Sequence, residues 1–343
     1  MARLEEVCEI LDSRRVPITA KDRKAGPYPY YGANGIQDYV AEYIFDDELV
    51  LLAEDGGHFG SADKPIAYRV SGKCWVNNHA HVLKAKDCID IDYLCYSLMF
   101  RDVSDIVNGA TRQKLTQADM RKIEIPLLSL EEQRAVVAKI SKVFDLIALR
   151  KEQLAKLDRL VKSRFVELFG NRGKNPFNYP TTTMGNVYKF QYGKGNNIPE
   201  DKGEYPCYGS NGVVGHHTEY NSEDSPIIGH IGAYAGIVNW GKGKHYVTYN
   251  GVICKLINDQ VNPVYGYYLL QIQDYNTVAK SGAAQPFVSY KDLDAPIVNV
   301  PPLELQNQFA SFVEQTDKSK LAIQQSLDKL ELLKTSLMQE YFG

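Results

Sequence analysis

The fold is decided by residues 129–170, which read SLEEQRAVVAKISKVFDLIALRKEQLAKLDRLVKSRFVELFG. No proline interrupts this stretch, and its single glycine is the last residue. Apolar residues recur in steps of three, four or seven, which is typical of the contact line of a coiled coil. They are Val136, Ile140, Val143, Ile147, Leu154, Leu157, Val161 and Leu168. Ser129 and Glu132 form a capping-box pattern and Gly170 is a typical stop, so we predict one long helix.

The same stretch recurs 173 positions later in the chain. The matches include Leu130-Glu131 with Leu303-Glu304, Gln133 with Gln306, and Gly170 with Gly343. A repeat of this length is far longer than a solenoid unit, so it indicates a tandem duplication of a domain followed by a helix. We therefore predict a first domain over residues 1–128, a helix over 129–170, a second domain over 171–301 and a helix over 302–343.

Each segment outside the helices combines short β-type runs with turn-forming residues, which predicts mixed α/β domains and an α+β fold class. The predicted strands of the first domain are 49–53, 66–70, 81–84 and 123–127, and its helix is 92–100. Those of the second are 227–231, 237–240 and 252–256, with a helix at 264–273. Residues 28–35 and 205–212 share a tyrosine-rich motif ending in Asn-Gly, which we interpret as a turn.

The composition narrows the function classes. A net charge of −3 over 343 residues argues against a basic protein that coats nucleic acid without selectivity. No apolar run approaches the length of a membrane span, and the first residues do not resemble a signal peptide, so we expect a cytoplasmic protein. The six cysteines form no Cys-x-x-Cys pair and are predicted to be reduced thiols.

Two histidine pairs, His79 with His81 and His216 with His217, raise the question of a metal site. No cysteine or carboxylate accompanies them at the spacing of a zinc site. We interpret these four residues as polar loop histidines and predict no metal.

Three further motifs suggest chemistry but fit it poorly. Asn175-Pro176-Phe177 resembles part of the tetrapeptide with which adenine methyltransferases hold their target, but no glycine-rich cofactor loop precedes it. Gly193-Lys194-Gly195 and the segment 241–244 lack the Walker spacing of a phosphate-binding loop. We interpret the first motif as part of a linker and the other two as ordinary loops.

The ends of the two domains carry the most informative motif. Residues 125–133 read IPLLSLEEQ, and residues 300–306 read VPPLELQ. With the duplicated layout and the paired loops at 109–114 and 282–287, this pattern resembles the specificity subunit of type I restriction–modification systems over the whole chain. The second copy lacks the capping serine, which affects only local capping.

The resemblance implies a non-catalytic reader of double-stranded DNA that carries no cofactor of its own. Its two long helices are expected to pack as an antiparallel coiled coil between two target recognition domains. Each domain would read one half of a bipartite, asymmetric site. Methyltransferase subunits, expected in two copies and carrying S-adenosylmethionine, would bind this scaffold. Whether a restriction subunit joins them stays open.

Two other classes of protein fit the sequence less well. A stand-alone DNA methyltransferase with its own recognition domain would need a cofactor loop and a catalytic tetrapeptide. A coiled-coil adaptor would not need two loop-rich domains of diverged sequence. We therefore favour the DNA-reading subunit.

Base-reading residues are expected where the two domains differ, since shared residues cannot carry a difference in sequence preference. In the first domain we predict Arg14, Arg15, Lys21, Arg23, Asp55, His58, Lys73, Asn77 and Asn78. In the second we predict Gln191, Tyr192, Lys194, Asn196, Asn197, His230, Tyr234, Lys242 and Lys244. The shared motifs add framework or phosphate contacts at Tyr31, Asn34, Arg112, Lys114, Tyr208, Asn211 and Gln285.

Overall fold

The computed structural model describes residues 1–61, 63–109, 113–195, 203–280 and 285–343. The chain divides into two compact units. Unit 1 combines Met1–Lys151 with Gln325–Gly343, and unit 2 is Glu152–Gln324. Each long helix therefore contributes one part to each unit.

Unit 1 is built on a six-stranded sheet. Its elements are β1 (Ala2–Arg3), α1 (Leu4–Val7), β2 (Cys8–Ile10), β3 (Ala25–Gly32), β4 (Gly35–Val40), β5 (Phe45–Ala53), β6 (Ala67–Val76), β7 (Ala80–Ala85), α2 (Ile91–Met99), α3 (Gln117–Met120), β8 (Glu124–Ile125) and α4 (Leu130–Phe169). The strand order is β2-β7-β5-β6-β3-β4, and β1 pairs with β8. Neighbours are antiparallel except β3 and β6, which run parallel.

Unit 2 repeats this architecture. Its elements are β9 (Thr181–Thr183), β10 (Tyr188–Tyr192), β11 (Tyr205–Gly209), β12 (Gly212–His217), β13 (Ser222–Gly229), β14 (Val238–Val247), β15 (Gly251–Leu256), α5 (Pro263–Ile272), α6 (Tyr275–Lys280), α7 (Tyr290–Asp294), β16 (Ile297–Asn299) and α8 (Leu303–Phe342). The strand order is β10-β15-β13-β14-β11-β12, and β16 pairs with β9. The parallel pair is again the equivalent one, β11 with β14. The predicted duplication and the α+β class are confirmed.

Two local predictions need correction. The motifs at 28–35 and 205–212 are strands as much as turns: their tyrosines belong to β3 and β11, and the turns are confined to the two residues before Gly35 and Gly212. Gly35 has a φ of +107°, a conformation that favours glycine. The strand predicted at 123–127 is reduced to β8, because Pro126 has no N–H to continue a ladder.

Both ends of α4 carry the signals expected from the sequence. The N–H of Glu132 donates to Ser129 Oγ at 3.3 Å, and the N–H of Ser129 donates to Glu132 Oε2 at 3.0 Å, which confirms the capping box. Gly170 follows α4 with a φ of +84° and provides its stop.

In each unit the segments of α4 and α8 run antiparallel, as residue pairings show. In unit 1, Lys139 Nζ donates to the hydroxyl of Tyr341, and Lys151 Nζ lies 2.9 Å from Glu331 Oε1. Arg150, where the apolar spacing skips a position, donates from Nε to Ser326 Oγ at 3.2 Å.

In unit 2, Lys320 Nζ lies 2.8 Å from Asp158 Oδ1, and the rings of Phe165 and Phe309 are 5.5 Å apart. Residue numbers rise along α4 as they fall along α8 in these pairs too. Phe165 and Phe169 are buried against Tyr265 in the core, although the apolar spacing did not include them. Both follow Val161 at intervals of four, so a wider helical face would have included them.

A buried glutamine fixes each long helix to the unit at its start. Gln133 Nε2 donates to the carbonyls of Cys88 and Leu128 at 3.1 and 2.8 Å, and its Oε1 accepts from the N–H of Asp90 at 2.7 Å. Asp90 is the N-cap residue of α2. A single amide thus joins the start of α4 to the start of α2.

Gln306 makes the same three bonds in unit 2. Its Nε2 donates to the carbonyls of Gln260 and Pro301 at 3.0 and 2.7 Å. Its Oε1 accepts from the N–H of Asn262, the N-cap residue of α5, at 2.8 Å. Both glutamine residues are 0% exposed.

Among the described residues, no helix is both long enough and apolar enough to cross a bilayer. The six cysteines are free thiols, as predicted.

We expect Gln133→Ala to lower the free energy of unfolding by about 2–4 kcal/mol, because it leaves three buried backbone groups without partners. Gln133→Glu should be no better, since a carboxylate would face the carbonyl oxygens of Cys88 and Leu128. Urea unfolding measures the effect, with the exposed Glu131→Gln as the control. An unchanged unfolding midpoint for Gln133→Ala would contradict this role.

Candidate nucleic-acid interface

In unit 1 the β3–β4 hairpin is joined to two neighbouring loops. Asn34 Nδ2 donates to the carbonyl of Gly56 at 3.0 Å. The carbonyl of Tyr31 accepts from the N–H of Asn77 at 3.0 Å, and Asn77 Oδ1 accepts from the N–H of His79 at 2.8 Å. Three residues predicted to contact DNA are therefore brought together, and each contacts protein backbone.

Three of the histidines that we predicted as loop residues lie in strands instead, His216 and His217 in β12 and His81 in β7. His81 is the one that is buried among polar groups. It lies in β7 and is 0% exposed. Its Nδ1 is 2.6 Å from Asp12 Oδ2, and its Nε2 is 2.9 Å from the carbonyl oxygen of Leu115. Both ring nitrogens therefore face oxygen acceptors.

Two carboxylates and two cationic side chains surround His81. Glu54 accepts from Arg15 Nη1 at 2.6 Å and from Lys114 Nζ at 2.9 Å. Asp12 Oδ2 accepts from Gln117 Nε2 at 3.0 Å. The carboxyl end of β2, the carboxyl end of β5 and the start of β7 meet here. We call Asp12, Glu54, His81 and Gln117 the strand-end site of unit 1.

Asp12, Glu54 and His81 offer ligand atoms within 4.8 Å of one another, as a metal site would. These carboxylates come from distant parts of the chain, so local residue spacing does not reveal them. Both carboxylates, however, already face cationic side chains, Arg15 and Lys114 among them. A divalent ion would compete with these cations for the same oxygens, so we interpret the group as an ion-pair network.

The network lowers the pKa of both carboxyl groups. For Asp12, burial acts to raise the pKa, but the hydrogen bond and charge of His81, the N–H of Val82 and the charge of Arg15 outweigh burial. For Glu54, burial is likewise outweighed, here by hydrogen bonds from Arg15 and Lys114. Both carboxylates are therefore stabilised in the ionised form.

Unit 2 has an equivalent site at the same position of its sheet. Ala53 pairs with Ala80 as Gly229 pairs with Gly251, and the N–H of Leu115 donates to the carbonyl of Glu54 as that of Val288 donates to His230. Continuing this register matches Asp12 with Tyr192, Glu54 with His230, His81 with Val252 and Gln117 with Tyr290. We call these four residues the strand-end site of unit 2.

The strand-end site of unit 2 is aromatic rather than ionic. The ring of Tyr192 stacks between those of His230 and Tyr290, with centroid distances of 4.2 and 4.1 Å. The N–H of Tyr192 donates to the hydroxyl of Tyr290 at 3.0 Å. His230 is buried, with its Nδ1 3.0 Å from the carbonyl oxygen of Tyr249. Equivalent positions of the two strand-end sites therefore carry side chains of different chemistry.

Several other predicted readers contact neighbouring side chains or backbone. The guanidinium of Arg14 lies over Phe45, that of Arg23 over Tyr30, and the ammonium groups of Lys73 and Lys244 over Tyr43 and Tyr220. The hydroxyl of Tyr208 donates to the carbonyl of Trp240 at 3.3 Å. Their exposed faces remain accessible to solvent, but these contacts within each unit set the positions of the side chains.

The remaining predicted readers differ in exposure. Exposed are Lys21, Asn78, Lys194, Asn211, Tyr234, Lys242 and Gln285, whereas Asp55, His58 and Gln191 are half-buried. Asp55 forms an ion pair with His79, with 2.8 Å between Oδ1 and Nδ1. Arg112, Asn196 and Asn197 lie outside the described residues.

Sequence reasoning missed Asp12, Glu54, Gln117, Tyr249 and Tyr290. Gln117 and Tyr290 are 173 residues apart, so the repeat offset could have identified them as equivalent, differing positions. The other three become recognisable only from strand register. The Asn175 motif closes a local turn, since its side chain bonds both the N–H and the carbonyl of Tyr179.

Comparison with known proteins identifies related chains. The model of a family described as "Type I restriction modification DNA specificity domain" matches residues 1–159 and 179–332. A Haemophilus influenzae protein named "Putative type I restriction enzyme specificity subunit S.HindORF215P" is 27% identical over 376 residues, covering 98% of this chain and 94% of the relative. The EcoprrI specificity subunit of Escherichia coli is 26% identical over 115 residues, covering 34% and 27%.

Two solved structures share the fold. The S subunit of a type I restriction–modification system from M. genitalium has a TM-score of 0.64 at 16% identity, with 100% of this chain and 95% of that chain covered. A chain solved in work on complex assembly and conformational transition of the type I R–M system has a TM-score of 0.56 at 17% identity, with coverage of 99% and 96%.

The ionic strand-end site should make the stability of unit 1 sensitive to acid. Since the folded-state pKa of Asp12 is lowered, its contribution is complete above the ordinary aspartate pKa of about 3.9 and is lost as the pH falls further. We expect Asp12→Asn to lower the free energy of unfolding by about 3 kcal/mol at neutral pH. The difference from the wild type should shrink below about pH 4.

Unfolding of both proteins between pH 7 and pH 3 measures this difference, with the exposed Asp105→Asn as the control. A difference that is the same at every pH would show that the charge of Asp12 is not what stabilises the site.

Proposed function

The chain belongs to the family of type I restriction–modification DNA specificity domains, and from this membership we propose that it reads a bipartite, asymmetric DNA sequence and recruits methyltransferase subunits to it. The observation that supports a two-part target is the duplicated unit with diverged strand-end sites. Both units share strand order, the parallel pair and the buried glutamine. Their strand-end sites differ at all four positions, as two readers of different sequences require.

We assign separate tasks to the predicted readers. Exposed cationic and amide side chains such as Lys21, Asn78 and Lys194 are free to reach the DNA. Arginine and lysine suit guanine or phosphate, and asparagine and glutamine suit adenine. Arg15 and His230 are committed to contacts inside their units, so they position loops rather than touch bases.

Buried Asn77, like Arg15 and His230, positions a loop rather than touching bases. Its side chain bonds Gln37 and the N–H of His79, which ties the β6–β7 turn to β4. It therefore holds the turn that carries the exposed Asn78.

The chain itself contributes recognition rather than chemistry in this proposal. Methyltransferase subunits would supply S-adenosylmethionine and the methyl transfer. The chain's part is to hold those subunits on the selected sequence.

The long helices offer equivalent apolar positions for such partners. Leu160 and Leu333 are 173 residues apart and are 49% and 45% exposed. Leu130 and Leu303 form a second exposed pair at the same offset. Each pair has one leucine in α4 and its counterpart in α8. The helices therefore present two similar docking surfaces, which suits two copies of one methyltransferase subunit.

Exchange of residues 1–128 for those of another family member should change one half of the DNA target and leave the other unchanged. Exchange of residues 171–301 should change the opposite half. The reason is that each half would be read by one unit. Sequencing of methylated sites in cells that express the exchanged chain with its methyltransferase measures the target. Altered bases in both halves after a single exchange would contradict modular reading.

Leu160→Ser and Leu333→Ser should each weaken the binding of one methyltransferase copy by about tenfold, as loss of one buried leucine implies. The double variant should weaken both copies. Leu332→Ser is the matched control, since Leu332 is 72% exposed but is equivalent to Arg159 and has no apolar counterpart. Mass photometry of the mixed subunits gives the stoichiometry. Unchanged complexes for the double variant would place the docking surface elsewhere.

A further inference from the structure

One short segment in each unit is fixed directly to the strand-end site. In unit 1 it is residues 113–117. The N–H of Leu115 donates to the carbonyl of Glu54 at 2.7 Å, and the carbonyl of Leu115 faces His81 Nε2 at 2.9 Å. Gln117 Nε2 donates to Asp12 Oδ2 at 3.0 Å. The segment is thus held by backbone and side-chain bonds along its length.

In unit 2 the equivalent segment is residues 286–290. The N–H of Val288 donates to the carbonyl of His230 at 3.0 Å, and the N–H of Gly232 donates to the carbonyl of Pro286 at 2.8 Å. Tyr290 stacks on Tyr192. The backbone attachment is the same as in unit 1, but the side chains that reinforce it are not.

The two segments present different side chains at one matched position. The backbone of Lys114 forms an isolated β-bridge with that of Asp55, and the backbone of Phe287 forms one with that of Ile231. The two residues are 173 positions apart, and their bridge partners directly follow Glu54 and His230. Lys114 Nζ lies 2.9 Å from Glu54 Oε1, but the Lys114 side chain is 50% exposed, whereas that of Arg15 on the same carboxylate is 12% exposed. An ammonium group has further donors, so Lys114 can pair with Glu54 and still donate to a ligand. Phe287 is 49% exposed. Unit 1 therefore offers an ammonium group where unit 2 offers an aromatic ring.

By contrast, positions that stabilise the fold carry the same residue in both units. Gln133 and Gln306 are identical, and Tyr93 and Tyr265 both donate their hydroxyl to the equivalent carbonyls of Pro126 and Asn299. The framework does not require an exposed phenylalanine at position 287, since the equivalent position in unit 1 holds a lysine. A difference in ligand chemistry accounts better for the different residues.

We propose that Lys114 and Phe287 are equivalent base-reading positions, each set in place by its strand-end site. Lys114 donates to the acceptors of a guanine in the half-site of unit 1, and Phe287 packs on the 5-methyl group of a thymine in the half-site of unit 2. In the major groove, guanine presents two acceptors and thymine an apolar methyl group, which match an ammonium and a ring. This inference rests on the proposed function.

The thymine contact is tested by combining a protein change with a DNA change. The target motif is first mapped for the complex of the full chain with its methyltransferase subunits. At each thymine of the second half-site, thymine is replaced by uracil, which removes only the methyl group. We expect one such replacement to weaken binding by about four- to fivefold, the equivalent of one buried methyl group.

With Phe287→Ser, that same replacement should have no further effect, because the ring that contacts the methyl group is gone. Phe177→Ser is the matched control, since Phe177 is also in unit 2 and also 49% exposed, and it should keep the full uracil effect. An equal uracil effect at every thymine in the wild type and in Phe287→Ser would overturn the thymine contact.

The equivalence of the two positions is tested by exchange. Phe287→Lys should shift the preference at one position of the second half-site from thymine towards guanine, and Lys114→Phe should make the reverse shift in the first. Selection from a randomised DNA library reads both outcomes, and hydrogen exchange at the amides of Leu115 and Val288 verifies that both segments stay docked. If the wild-type complex selects no bipartite motif, the proposed function is refuted. A bipartite motif that neither exchange alters, with the segments docked, would refute this inference alone.

Discussion

The structure depends on one buried amide in each unit. Gln133 and Gln306 each join the start of a long helix to the N-cap of a helix in the unit, through one accepted and two donated hydrogen bonds. An amide is the side chain that supplies both an acceptor and two donors, so neither a carboxylate nor an ammonium could replace it. Because the bonded groups are buried backbone, the direction in which each helix leaves its unit is set locally and tightly.

This attachment belongs to a framework that is constant in both units. The sheets, their parallel pair and the glutamine contacts are the same in both units, and they occupy the positions that a fold needs. The strand-end sites carry the difference, with an ion-pair network around His81 in one unit and a stack around Tyr192 in the other. Both networks hold a segment through the same backbone bond, so side-chain chemistry can change without a change of fold.

The long helices combine two tasks on different faces. Their buried residues, such as Ile140 and Phe309, belong to the cores of the units, and oppositely charged pairs link the antiparallel segments. Leucines at matched offsets are exposed on the other faces, where we propose that partners dock. A helix shared between two cores also explains why the compact units do not coincide with contiguous stretches of the chain.

The sequence by itself determined the duplication, both long helices, the capping box at Ser129 and the stop at Gly170, because these features depend on residues a few positions apart or on an exact repeat offset. Short apolar runs also predicted β5, β6 and β7 and their counterparts β13, β14 and β15. Only the tertiary structure showed that His81 is buried against Asp12, 69 residues away, and that Glu54 and His230 occupy one equivalent place. Such partnerships depend on strand register, and a shift of one residue would turn each of these side chains to the opposite face. Local sequence patterns carry no record of that register, so burial and partners were decided by the folded sheet.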